Sequence, residues 1–76
     1  MITGSQIRAG RALLNWSAQV LADESGVGVA TIRRMELATS IPSSNALTLS
    51  LVKNTFENAG IEFIGSPNDR PGVRLK

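Results

Sequence analysis

Two glycines separated by one residue, Gly26 and Gly28, lie between two short segments of helical character. The first segment, residues 18–25 (AQVLADES), follows Ser17, whose hydroxyl can accept a hydrogen bond from the first amides of a helix. The second, residues 29–37 (VATIRRMEL), has its cationic residues on one side and Ile and Met on the other, at a helical period. This order predicts two helices joined by a three-residue turn that contains glycine.

Closely spaced glycines before a helix also occur in phosphate-binding loops, so that alternative has to be tested. A dinucleotide-binding fingerprint needs a third glycine and a preceding apolar strand, and a P-loop needs a lysine after its second glycine. Here a polar helical segment precedes Gly26, and valine follows Gly28. The pattern therefore favours a helix-turn-helix, in which the second helix, the recognition helix, lies in the DNA major groove.

The composition predicts a single small domain without the side chains of most catalytic sites. The chain has 76 residues, 42% of them hydrophobic and 18% charged, with no Cys and no His. Without these two residue types it lacks disulfides, the usual zinc sites and the Cys or His groups of many enzymes. We expect no enzyme activity, no metal, no cofactor and no small-molecule substrate.

The charge and the hydropathy pattern bear on partners and location. The formal net charge of +2 is a mild bias toward polyanions. There is no apolar run of about 18 residues and no N-terminal signal pattern. We therefore expect a cytoplasmic protein that does not enter a membrane.

The first helix is expected to begin at a capping box, formed by Thr3 and Gln6. Ile7, Arg11 and Leu14 then share one face at i, i+4 and i+7. Because Arg11 interrupts an apolar stripe, its guanidinium needs a partner. Asn15 can adopt the left-handed conformation that ends a helix.

A long fourth helix is predicted over residues 45–60, capped by Ser44 or Asn45 and ended by Gly60. Its core stripe is expected to contain four residues, widened by two leucines. The six are Leu49, Val52, Phe56 and Ala59, with Leu47 and Leu51. Trp16 is expected to pack in the core rather than to stack on a base.

Residues 61–76 change to strand composition and predict a hairpin, with strands at 61–64 and 73–76 around the turn-forming GSPNDRPG. We expect two functional parts, a DNA-binding domain at 1–60 and a β ribbon at 61–76 that contributes to a dimer. The alternative is a hairpin folded onto its own helices.

The segment QIRAGRALLNWSAQVLADESGVGVATIRRME resembles the Cro/CI-type (XRE-family) helix-turn-helix proteins. The likeness is to small bacterial regulators with I-R-x-x-R-x-L-L-x-W-S, then L-A, G-V and T-I-R-R-x-E, and A-G-I-E-F near the end. It implies a mainly α, four-to-five-helix lambda-repressor-like domain with a C-terminal β-hairpin or strand pair. It also implies a transcriptional regulator that binds double-stranded DNA as a homodimer, with the helix 29–37 in the major groove.

In phage repressors of this type an arginine of the first helix pairs with a glutamate at the end of the recognition helix. Arg11 and Glu36 stand at those positions. The resemblance therefore implies a partly buried ion pair, and bidentate contact is the least costly way to place both charges there. The alternative is two exposed charges.

The resemblance also implies which residues contact DNA. Arginines would supply charge to the groove or to phosphates, the start of the recognition helix would supply shape contacts, and hydroxyl and amide side chains would reach the backbone. The expected residues are Ser17, Gln19, Val29, Ala30, Thr31, Arg33, Arg34, Thr39 and Ser43. Since the start of the recognition helix offers few hydrogen-bonding groups to the bases, we expect modest specificity. Since the loop after that helix has no cation, we expect weak salt dependence.

A second function class stays open, because the same scaffold can serve as a protein-interaction module. In this alternative the chain is an antitoxin-like or accessory subunit whose segment 29–37 docks on a protein. The apolar start of that segment and the uncharged loop favour the alternative, whereas Arg33 and Arg34 favour DNA.

Overall fold

The computed structural model describes all 76 residues, which form four helices followed by two antiparallel strands. The elements are α1 (Gly4–Leu14), α2 (Ala18–Ser25), α3 (Val29–Glu36), α4 (Ala46–Asn58), β1 (Ile61–Ser66) and β2 (Asp69–Leu75). The predicted mainly α fold with a C-terminal hairpin is confirmed. None of the four helices combines the length and the apolar character needed to cross a membrane.

The first two helices begin and end at the predicted residues. At the start of α1, Thr3 Oγ1 accepts from the Gln6 N–H at 3.1 Å, and Gln6 Oε1 accepts from the Thr3 N–H at 2.8 Å. Asn15 ends this helix with a φ of 56°. Ser17 Oγ then accepts from the Val20 N–H at 3.1 Å and begins α2. These side chains satisfy amides that have no partner inside their helix.

The fourth helix begins at Asn45 rather than at Ser44, since Asn45 Oδ1 accepts from the Thr48 N–H at 2.7 Å. It ends at Ala59, and Gly60 follows with a φ of 99°, which glycine adopts without steric cost. Gly60 therefore reverses the chain out of α4 and into β1.

One apolar core joins the helices to the hairpin. Its eleven buried residues are Ile2, Ile7, Leu21, Ala22, Val27, Ile32, Met35, Leu49, Val52, Phe56 and Ile61. The ring of Trp16 stacks on that of Phe56, with centroids 6.1 Å apart. The prediction of a core role for Trp16 is therefore confirmed.

The predicted widening of the α4 stripe is wrong. Leu47 is 70% exposed and Leu51 is 40% exposed. Since each residue turns a helix by about 100°, these two leucines lie on the side opposite the buried Leu49, Val52 and Phe56. The apolar face of α4 is narrower than the sequence indicates.

The strands are longer than predicted, and their connection is shorter. Only Pro67 and Asn68 lie between β1 and β2, and Ser66 pairs with Asp69. An irregularity in the pairing falls between Ile64 and Ser66. The ribbon folds tightly there because Gly65 and Arg70 have positive φ angles of 73° and 51°.

The hairpin lies on its own helices, so the alternative of intrachain packing is the one that the structure contains. Gln6 Nε2 donates to the carbonyl oxygen of Gly72 at 2.9 Å and to that of Ile64 at 3.4 Å. The rings of Phe63 and Phe56 meet edge to face, 5.9 Å apart. Residues 61–76 thus share the core of the helical part, and their contribution to a dimer stays a prediction.

Candidate nucleic-acid interface

A turn of three residues fixes the angle between α2 and α3. Gly26 has a φ of 76°, and its N–H donates to the Ala22 carbonyl at 2.9 Å. Val27 is buried in the core, and its N–H donates to Ser25 Oγ at 3.2 Å. Gly28 is the N-cap of α3, as predicted. The turn is held both by hydrogen bonds and by one apolar anchor.

The recognition helix α3 has one core side and one solvent side. Ile32, Met35 and Glu36 are buried. Arg33 and Arg34 are exposed, and neither guanidinium forms a hydrogen bond or an ion pair with the rest of the chain. A helix that buries one face and leaves two unpaired cations on the other can approach a polyanion without losing internal contacts.

The other predicted groove residues differ in how far they reach solvent. Ala30 is exposed and shares its side of α3 with Arg34, one turn later. Thr31 is half-buried. Val29 is also half-buried and packs against the core, so only part of its side chain is available for a shape contact.

Arg11 and Glu36 form a bidentate pair. Arg11 Nε donates to Glu36 Oε2 and Arg11 Nη2 donates to Glu36 Oε1, both at 2.7 Å. The side chains are 23% and 9% exposed, so the alternative of two exposed charges is wrong. A further hydrogen bond runs from Arg11 Nη1 to the Trp16 carbonyl at 3.0 Å. The pair connects α1, the start of α2 and the end of α3.

The hydrogen bond to Glu36 raises the pKa of the Arg11 guanidinium above its ordinary value. A raised pKa means that the folded state holds the proton more tightly than the unfolded state does. The stability that this tighter proton binding contributes is therefore complete at neutral pH and is lost as the pH rises into the strongly alkaline range.

Two further residues of α1, which the sequence analysis did not select, also hold α3. Arg8 Nη1 donates to the main-chain carbonyl of Glu36, and its Nη2 donates to Ser5 Oγ at 3.1 Å. A cation at the last carbonyls of a helix is favourable. The Gly4 N–H donates to the Ser40 carbonyl at 3.0 Å, just beyond the end of α3.

A signal for these contacts was present in the spacing. Gly4, Arg8 and Arg11 lie at i, i+4 and i+7 and therefore share one side of α1. That side consists of a residue without a side chain and two long cations, a combination suited to a close approach to the end of another helix. The orientation of α3 is thus set by α1 as well as by the turn.

The four residues predicted to contact the DNA backbone are all exposed, but their side chains differ in the hydrogen bonds that they already form. The four are Ser17, Gln19, Thr39 and Ser43. Ser17 Oγ is occupied only as an acceptor, so its O–H can still donate. Gln19 Nε2 donates to Asp23 Oδ1 at 2.9 Å, and a phosphate would have to displace that carboxylate. Thr39 and Ser43 lie in the loop between α3 and α4, without side-chain hydrogen bonds.

Substituting Gly28 with serine is expected to stabilise the domain. Gly28 has ordinary extended backbone angles, φ −60° and ψ 144°, with open space where a Cβ would lie and no side-chain cap. A serine hydroxyl would accept from the Thr31 N–H, and the unfolded chain would lose entropy. We expect a gain of about 0.5–1 kcal/mol in the free energy of unfolding.

Urea unfolding of the Gly28→Ser variant measures this gain. The matched control is Gly26→Ser, which places a side chain at a φ of 76° and should destabilise the domain. A loss of stability in the Gly28→Ser variant would contradict the assigned cap.

A comparison with protein-family models covers the same part of the chain as this helix-turn-helix. A protein-family model described as Helix-turn-helix matches residues 7–49, more than half of the chain. The matched region runs from the second turn of α1 through α2 and α3 into the first turn of α4. No curated protein matches the chain.

Proposed function

Because the chain belongs to the XRE-type, lambda-repressor-like helix-turn-helix family, a family of DNA-binding domains, we propose that it is a transcriptional regulator. It binds double-stranded DNA as a homodimer, with α3 of each copy in the major groove. Two copies would read half-sites about one helical turn apart. The observation that carries the proposal is the pair of exposed, unpaired guanidiniums of Arg33 and Arg34 on the solvent side of α3.

The positions of the side chains on α3 suggest a division of roles. Arg34 and Ala30 form the row opposite the buried side, so this row faces the floor of the groove. Arginine donates in bidentate fashion to guanine, and an alanine methyl can contact the methyl of thymine. Arg33 lies at the border of this row, where a phosphate is within reach.

Contacts to the DNA backbone come from groups whose hydrogen-bond donors have no partner within the chain. The Ser17 hydroxyl and the hydroxyls of Thr39 and Ser43 donate to phosphates, together with the amides at the start of α4. Gln19 takes part only after leaving Asp23. These neutral contacts position the protein but release few counterions, so the affinity for DNA is low and its salt dependence shallow.

Fluorescence anisotropy with a labelled random duplex tests the proposal. At low salt, the Arg33→Ala, Arg34→Ala double variant should bind about tenfold to a hundredfold more weakly than the unmodified chain. Arg33→Ala alone should reduce the slope of log affinity against log salt by about one, because one phosphate contact is lost.

The matched control is the double variant Arg70→Ala, Arg74→Ala, which removes the same charge from the exposed hairpin. It should bind nearly as well as the unmodified chain. Equal losses in the two double variants would mean that net charge, and not the face of α3, determines binding. No binding by any of the proteins would contradict the proposal.

One observation favours the second candidate, a protein-interaction module. Leu37, directly after α3, is 82% exposed, and it shares the solvent side of the helix with Ala30 and Arg34. A large apolar side chain in this position suits a protein surface better than a phosphate backbone. Under this alternative Leu37→Ser would abolish binding to the protein partner, and the unmodified chain would itself have no affinity for DNA.

A further inference from the structure

The first turn of α3 has no exposed side chain that forms hydrogen bonds. Gly28 and Ala30 are exposed and carry no polar side-chain atom. Val29 is half-buried against the core, and the hydroxyl of Thr31 belongs to a half-buried side chain on the flank of the helix. On the side opposite the buried residues, the first turn therefore presents only the methyl group of Ala30.

The neighbouring helix α2 does not supply the missing polar groups. Adenine is ordinarily read by an asparagine or glutamine side chain, which both donates to the base and accepts from it. Gln19 is the only such residue in α2 and α3, and its Nε2 already donates to Asp23 Oδ1 at 2.9 Å. The base edges that face the first turn of α3 thus meet an apolar surface.

An apolar surface distinguishes the bases by one chemical group. In the major groove every base presents hydrogen-bonding groups, and thymine also presents a 5-methyl group. An amino or carbonyl group covered by the Ala30 methyl would lose water without gaining a partner, which is unfavourable. A pyrimidine methyl in that place is removed from water, which is favourable. Contact with Ala30 therefore favours a pyrimidine that carries a 5-methyl group.

Arg34 places a guanine beside this pyrimidine. It lies one turn after Ala30 on the same side of α3. Because long side chains on a helix lean toward its N-terminus, the guanidinium of Arg34 reaches back from a Cα that lies about 6 Å further along the axis. Since base pairs stack about 3.4 Å apart, the two side chains can face neighbouring base pairs.

We infer that α3 selects DNA by a pyrimidine 5-methyl group next to a guanine, and that Ala30 is the residue that determines this specificity. The inference rests on the proposed function and names the chemical group that the recognition helix reads. Two bases of DNA carry this group, thymine and 5-methylcytosine, so the test has one arm for each.

The first arm removes the methyl group from thymine. A duplex is selected from a random library by the unmodified chain, and its thymines are replaced one at a time by uracil, which lacks only the methyl. At one position of each half-site the replacement should weaken binding about threefold to tenfold, because one methyl group leaves an apolar contact. Fluorescence anisotropy measures the affinities.

The Ala30→Gly variant removes the protein side of the same contact. Its affinities for the thymine duplex and the uracil duplex should be nearly equal. The ratio of the two affinities does not depend on the stability of the variant, since any unfolded fraction lowers both equally. The matched control is Ala12→Gly, the same change at an exposed position of α1, which should keep the ratio of the unmodified chain.

The second arm compares cytosine with 5-methylcytosine at the sensitive position, each paired with guanine. Tighter binding of the methylated duplex, again by about threefold to tenfold, supports readout of the methyl group on either base. A methyl effect in the thymine arm alone supports readout of thymine only.

The inference and the proposed function can fail separately. If the unmodified chain binds the selected duplex but no thymine methyl affects its affinity, the inference is overturned and the regulator stands. A ratio that is unchanged in Ala30→Gly, or lost equally in Ala12→Gly, would also overturn the inference. If the chain selects and binds no duplex, the proposed function is contradicted, and methyl readout with it.

Discussion

Replacing Glu36 with alanine is expected to lower the free energy of unfolding by about 3 kcal/mol, because it leaves the guanidinium of Arg11 in a mostly buried position without its anion. In a domain of this size the melting temperature should fall by about 12–24 °C. The loss includes the two hydrogen bonds at 2.7 Å from Arg11 to the carboxylate. Thermal and urea unfolding followed by circular dichroism measure the change.

The hairpin supplies the matched control for this prediction. Arg74 Nε donates to Glu62 Oε1 at 2.9 Å, but this pair is exposed. Glu62→Ala should therefore change the free energy of unfolding by less than about 1 kcal/mol. The Arg11→Met, Glu36→Met double variant should be more stable than either single variant, because no unpaired charge remains. Similar effects of Glu36→Ala and Glu62→Ala would contradict the assigned burial.

Gly4→Ala is the second substitution with a large expected effect. A Cβ at this position would overlap the carbonyl oxygens of Met35 and Ala38, which are main-chain atoms and cannot rotate away. Although alanine is ordinarily the better helix former, we expect a loss of about 3 kcal/mol in the free energy of unfolding. Helix propensity alone predicts that Gly4→Ala stabilises the domain, so a loss of stability is the diagnostic result. Urea unfolding measures the change in the free energy of unfolding.

Gly28→Ala is the control for this steric argument. It adds the same methyl group where nothing lies within 4 Å and where the backbone angles suit any residue. Its effect should stay within about 0.5 kcal/mol, since the weaker N-cap and the lower entropy of the unfolded chain offset each other. A neutral Gly4→Ala variant would mean that α1 and the end of α3 are not in contact there.

The features that could be predicted from the sequence are mainly local. Thr3, Asn15, Ser17 and Gly26 act within a few residues of themselves, so a short window contains both the donor and the acceptor of each cap or turn. The pairing of Arg11 with Glu36 spans a longer distance, and there the resemblance to known repressors supplied the partner.

The features that could not be predicted depend on which elements pack together. Leu47 and Leu51 fit an apolar stripe by spacing, but only the position of α4 against its neighbours decides that they face solvent. Likewise, the contacts of Gln6 with the hairpin join residues far apart in the chain. For α3, the helical period predicted correctly which side is buried and which side faces solvent. The partial burial of Val29 could not be predicted, because it depends on the core residues that pack against it.

Backbone amide chemical shifts of the labelled chain, recorded during titration with a random DNA duplex at low salt, test the central claim most directly. The largest changes should fall on residues 28–34, with smaller ones at the start of α2 and before α4. Residues 61–66 should change little, because the hairpin lies on α1 and α4, away from the solvent side of α3. Unchanged shifts at saturating duplex, or changes confined to the hairpin and the outer side of α4, would contradict the proposal that α3 enters DNA.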